Sequence, residues 1–139
     1  MTLLKILHDQ VKPALGCTEP GAVAYASAMA RDILGEDPEF VQVTVNNNIL
    51  KNGMSVGIPG TLHRGLDFAA ALGVKGGKTS YILEVFKDIN EEDILASLNM
   101  LEDNRVSIKL DKEKTSLYIE VIAKSKEHTS TVIIKDAHT

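Results

Sequence analysis

The chain has 139 residues, 44% of them hydrophobic and 24% charged, enough for one domain with its own core and too few for two. Its net charge of -4 and its lack of tryptophan exclude the basic field and stacking platform of a nucleic-acid binder. One cysteine excludes an internal disulfide framework and fits a reducing cytoplasm, and no stretch reads as a signal peptide or a membrane span.

Thr2 caps a short amphipathic helix with Leu4, Ile6, Leu7 and Val11 as its apolar stripe, ended by Pro13, whose ring clashes with helical carbonyls. The stretch Lys12-Pro13-Ala14-Leu15-Gly16-Cys17-Thr18-Glu19-Pro20 then turns the chain and starts a second helix, about Thr18 to Leu34. Thr18 serves as cap, Glu19 places negative charge in the first turn, and Pro20 is tolerated there because its missing N–H would have no helical partner. Cys17 therefore falls just before a helix N-terminus, where unpaired amides and the positive end of the dipole favour a thiolate. The other reading of a lone cysteine beside an apolar helix is a small buried hydrophobe. The helix itself has alanine at positions 22, 24, 26, 28 and 30, a surface that lets another backbone approach closely. Gly35 is its stop.

Phe40 to Val45 alternates as a strand, with Val41, Val43 and Val45 on one side. From Asn46 to Arg64 the chain is rich in Asn and Gly, either a connecting loop built on positive φ or a loop that carries functional groups. Thr61 is expected to cap a helix through Ala69-Ala70-Ala71-Leu72, closed by Gly73 and the Lys75-Gly76-Gly77 turn. Ser80 to Ile89 fits a helical face or a strand, with helix preferred. Asn90 caps a helix opened by Glu91-Glu92-Asp93, with Ile94, Leu95, Leu98 and Leu101 as its buried stripe.

The last third is β. Val106, Ile108 and Leu110, then Leu117, Ile119, Val121 and Ala123, then Val132 and Ile134 make three strands with short links, an expected antiparallel meander. Helices packed on a small, mostly antiparallel β-sheet give an α+β fold. The chain stops at His138-Thr139 directly after the last strand, as an N-terminal segment of a longer architecture would.

The Lys12–Pro20 stretch resembles the opening motif of the L-cysteine desulfidase family, iron–sulfur lyases related to the L-serine dehydratases. The similarity continues through Asn48-Ile49-Leu50-Lys51-Asn52-Gly53, Ile58-Pro59-Gly60-Thr61, Ala69-Ala70-Ala71-Leu72-Gly73 and Glu84-Val85-Phe86-Lys87-Asp88. Leu62-His63-Arg64 departs from it, standing where the family carries smaller or apolar residues.

The resemblance implies elimination of sulfide and ammonia from L-cysteine to give pyruvate, on an amino-acid substrate and without a pyridoxal cofactor. It implies a [4Fe-4S] cluster acting as Lewis acid, held by cysteines in a C-terminal region that this chain lacks, so that the chain alone neither binds the cluster nor completes the catalyst. Cys17 would be the base that takes the α-proton or, alternatively, a cluster ligand. Asn48, Lys51 and Asn52 would hold the substrate carboxylate, and Gly60 and Thr61 would supply backbone or hydroxyl donors. Serine is an alternative substrate. The expected partners are the C-terminal region or a separate cluster-bearing subunit, with a homo-oligomer as a further possibility. Two rival readings stand beside it: a small-molecule-binding or regulatory module without chemistry, and a docking subunit. His8, His63, His128 and His138 show no metal-site spacing, and glycines 73, 76 and 77 match no phosphate loop.

Overall fold

A computed structural model of the protein describes residues 19–47, 65–79 and 87–135. The expected helix beginning at Thr2 lies outside these residues. Within them the fold is α+β, with three helices on one face of a four-stranded mixed sheet.

Helix α1 spans Glu19–Leu34. Alanine costs no side-chain entropy in a helix, and five of them favour this one. Gly35 ends it at φ 79, a left-handed conformation natural to glycine, and donates its N–H to the Arg31 carbonyl at 3.0 Å. Residues 22–28 are all buried, so α1 is covered on every side for nearly two turns.

Strand β1 (Phe40–Val45) buries its three valines as the alternation requires. Helix α2 (Leu66–Gly76) is the central element. Leu66, Ala70, Ala71 and Val74 join the main core with α1 and the sheet, while Phe68, Ala69 and Leu72 face helix α3 (Glu91–Glu102). Two expectations do not hold in this helix. The N-cap of α2 is Gly65 at φ 115, not Thr61, which lies outside the described residues. Gly73 does not stop the helix but sits inside it, because α1 leaves no room there for a side chain.

Helix α3 opens as expected. Asn90 Oδ1 accepts from the Asp93 amide at 2.9 Å and Asp93 Oδ2 from the Asn90 amide at 3.2 Å, a reciprocal capping box. Its stripe is narrower than expected: Ile94, Leu98 and Leu101 pack on the Phe68 cluster, but Leu95 is 61% exposed. Ser97 and Met100 are buried instead. Of the segment Ser80–Ile89, residues 80–86 lie outside the described set. Lys87 and Asp88 form a turn, so a helix does not extend to Ile89.

Strands β2 (Val106–Leu110), β3 (Tyr118–Lys124) and β4 (Thr129–Lys135) complete a sheet of order β2-β1-β3-β4. β1 pairs with β2 in parallel, Val43 opposite Ile108, and with β3 antiparallel, Val43 opposite Val121; β3 and β4 form an antiparallel hairpin. The expected three-strand meander is therefore broken at its first link. β1 lies between β2 and β3, and the chain passes from β1 to β2 through the helical crossover that a parallel pair needs. The 111–117 connection crosses the end of β1 instead of closing a hairpin.

Candidate functional site

Every candidate site residue of the sequence analysis (Cys17, Asn48, Lys51, Asn52, Gly60 and Thr61) lies outside the described residues. What the structure does place is the ends of the elements from which those stretches depart.

A Cβ at Gly73 would meet Ala24 of α1, and a Cβ at Gly77 would lie 3.2 Å from that of Ala28. Four residues along one helix match four along the other, so α1 and α2 run in the same sense. Leu66 lies seven residues before Gly73 and Glu19 five before Ala24, at 1.5 Å rise per residue, so the two helices start at a similar level. β1 runs the opposite way. Ser130 donates its hydroxyl to Ala30 near the end of α1 at 2.6 Å, and Ser130 pairs with Ala123, which pairs with Val41 at the start of β1. The end of β1 is thus level with the start of α1. Glu19, Asn47 and Gly65, the residues adjoining the stretches that hold the candidates, converge at one end of the domain. Two helix N-termini point there, each equivalent to roughly half a positive charge.

That end is firmly built. Asn46, 3% exposed, donates through Nδ2 to the Ser116 carbonyl at 2.8 Å and through its amide to Tyr118 at 3.2 Å. Asp111 donates its amide to the Val45 carbonyl at 2.9 Å. The Lys114 ammonium lies 4.8 Å from the centre of the Tyr118 ring, a cation–π contact. Burial, then the carboxylates of Glu120 and Asp111, push the Tyr118 phenol above its ordinary range.

The opposite end carries groups that the sequence reading passed over. The Arg31 guanidinium reaches across from α1 to the last turn of α2, donating to the carbonyls of Gly73 at 3.1 Å and Gly77 at 3.0 Å. A depression of about 640 Å³ beside it is lined by Arg31, Asp32, Glu36, Asp37 and Lys75, whose charges already pair: Arg31 with Asp32 and Lys75 with Asp37, both at 2.8 Å. In the β3–β4 hairpin, Ser125 Oγ donates to Glu36 Oε2 at 2.6 Å and His128 Nδ1 to the same oxygen at 2.9 Å. The Ser125 hydrogen bond, followed by His128, holds the Glu36 carboxyl below its ordinary value. The seryl hydroxyl is bound to the carboxylate and not to the imidazole, so this is a surface clasp, not a nucleophile–base pair. His128 sits in a polar turn, as its neighbours in sequence suggest.

Among the described residues no group of three or more His, Cys, Asp or Glu side chains could hold a metal ion, and no helix is long and apolar enough to cross a membrane.

Compared with known proteins, the chain is 51% identical over 138 residues to a UPF0597 protein of Caldanaerobacter subterraneus subsp. tengcongensis, covering 99% of this chain and 33% of that protein. A UPF0597 protein of Clostridium tetani is 48% identical over 136 residues, and one of Parabacteroides distasonis 44% over 137. The chain is similar to UPF0597 proteins over nearly its whole length. It spans about a third of the length of these curated relatives. Their name carries no reaction, cofactor or substrate, and nothing in it links them to the desulfidase or dehydratase families. No family model matches the chain, and no solved structure does.

Proposed function

We propose that this chain is the part of an L-cysteine desulfidase-like lyase that supplies the proton-abstracting thiol and the substrate-binding loops. One observation carries the reading. The stretch bearing Cys17 and the stretch bearing both Asn48 to Asn52 and Gly60-Thr61 meet the described fold at one end, at Glu19, Asn47 and Gly65, where α1 and α2 both begin. A carboxylate substrate and a thiolate are the species that paired helix N-termini favour.

In this reading Asn48, Lys51 and Asn52 hold the carboxylate of L-cysteine, and Gly60 and Thr61 add backbone and hydroxyl donors. The Cys17 thiolate takes the Cα proton, the Cβ–S bond breaks and sulfide leaves. The resulting aminoacrylate tautomerises to an imine, and water hydrolyses that to pyruvate and ammonia. The [4Fe-4S] cluster implied by the resemblance does not fit the residues of this chain. Such a cluster takes several thiolates, and the chain has one cysteine. Its ligands would have to come from the other two thirds of a polypeptide as long as the relatives, or from a second subunit.

The test is anaerobic release of sulfide and pyruvate from L-cysteine by the full-length protein carrying this sequence, after iron–sulfur reconstitution, with Cys17 and with Cys17→Ala. The expected loss is 100-fold or more in turnover, the scale of a general base, with the cluster absorbance retained. Loss of the cluster together with turnover would make Cys17 a ligand. Unchanged turnover, or none from the loaded wild-type protein, overturns the reading.

A further inference from the structure

All three described helices lie on one side of the sheet, and the other face is covered by none of them. Side chains there alternate with the core-facing ones, and none is buried. An exposed sheet face in an α+β protein is ordinarily polar. This one is not uniformly so. Phe40 stands 53% exposed on it, and Ile122 and Ile133 are only partly covered. Its charge is also distinctive. Lys109, Lys124 and Lys135 project from β2, β3 and β4, and among the described outward-facing strand positions Glu120 is the one carboxylate, in a chain whose overall charge is -4.

Beside Phe40 the face dips into a depression of about 270 Å³, lined also by Gln42, Arg105, Ser107, Ile122 and Lys124. Arg105 is held only loosely, its Nε 3.8 Å from Asp103. A guanidinium has five N–H donors, so most remain for a partner. An aromatic ring flanked by arginine and lysine is the composition of an interface anchor, able to take the stem of an acidic side chain on the ring and its carboxylate between the cations.

We propose that this open face is the docking surface for the rest of a longer polypeptide, which seats on it through an acid-rich patch anchored at Phe40. The relatives supply a candidate for the occupant: about two thirds of each lies outside the region matched here. Size agrees. Four strands at about 4.8 Å spacing and some six residues at about 3.3 Å give a face of roughly 400 Å². Doubled for two partners, that falls within the roughly 600–1,500 Å² of an interface between domains of one chain. The proposal does not depend on the reaction the longer protein performs.

Hydroxyl-radical footprinting of the native full-length protein tests it, reading Phe40 against Phe68, which is 1% exposed. The same ring chemistry at both positions makes Phe68 an internal standard for burial. Docking predicts that Phe40 is protected nearly as well as Phe68, and that Arg105→Glu with Lys124→Glu raises its modification several-fold while circular dichroism is unchanged. Phe40 reacting several-fold faster than Phe68 in the wild-type protein overturns the proposal. So does protection that survives the double charge reversal, because the partner surface is then not acidic. Protection that disappears on dilution to a monomer assigns the face to a second copy, and protection lost on exhaustive dialysis assigns it to a small anion; either overturns the proposal.

Discussion

Gly73 of α2 lies directly against the backbone of Ala24 of α1: a Cβ at position 73 would meet the Ala24 carbonyl oxygen and stand 2.9 Å from its Cα. Two helices in such contact are held by the absence of a side chain, and the neighbour is backbone, which cannot rotate away. Gly73→Ala therefore forces α1 and α2 apart. Alanine is the better helix former by about 1 kcal/mol, but overpacking a tight contact costs typically 1–3 kcal/mol and more where backbone must shift. The expected result in urea denaturation is a net loss of about 2 kcal/mol. A more stable Gly73→Ala protein would show that the helices part easily.

Arg31 makes the second tie between the same helices. Its carbonyl acceptors at Gly73 and Gly77 belong to the last turn of α2 and its cap, where orphan carbonyls need donors. Arg31→Met keeps the apolar stem and removes the donors, with an expected cost of about 1–3 kcal/mol. Arg31→Lys should recover less than half, because one ammonium cannot span carbonyls that a planar fork reaches together. Full recovery by lysine would reduce the contact to its charge alone.

Much of this fold is legible in the sequence, for identifiable reasons. The Asn90 cap, the Gly35 stop and the alternation of valines in β1 are local signals, and each appears where the residues place it. What fails is non-local. Nothing in Val106–Leu110 says that its neighbour is β1, 65 residues earlier and parallel, because a strand's alternation fixes its faces but not its partners. Gly73 reads as a helix stop until the position of Ala24 is known. The candidate site divides the same way. Cys17 and the Asn- and Gly-rich stretch are conspicuous as residue types. That they depart from one end of the domain follows from the shared direction of α1 and α2, which no window of sequence contains.

Acid should loosen the clasp at Glu36. Its carboxyl is held below the ordinary 4.5, first by the Ser125 hydroxyl and then by His128. A group with a lowered folded pKa stabilises the fold above its unfolded value, and that contribution fades as pH falls through the folded one. The Glu36 contribution is therefore complete above about pH 4.5 and lost below it. Carboxyl-detected NMR titration should place Glu36 under 4.5 in the wild-type protein and move it upward in Ser125→Ala. A Glu36 that titrates at 4.5 or higher before any substitution would mean that the hairpin hydrogen bonds do not persist in solution.

Asn46 and Asn90 allow stability to be separated from site geometry. Asn46 is buried at the end of β1, one residue before the stretch that carries Asn48, Lys51 and Asn52, and its side chain holds the Ser116 carbonyl. Asn46→Ala leaves that carbonyl short of a donor, at about 1–3 kcal/mol. Asn90→Ala removes a helix cap at about 1 kcal/mol, but at the far end, where Asp93 stands against the last residue of α2. If the end of β1 positions the substrate loop, Asn46→Ala in the full-length protein lowers L-cysteine turnover several-fold at temperatures where it is fully folded, and Asn90→Ala leaves turnover at the wild-type level. Equal, small effects of both substitutions would mean that the β1 end supports the fold without orienting the loop, and the proposed site would lose its anchor.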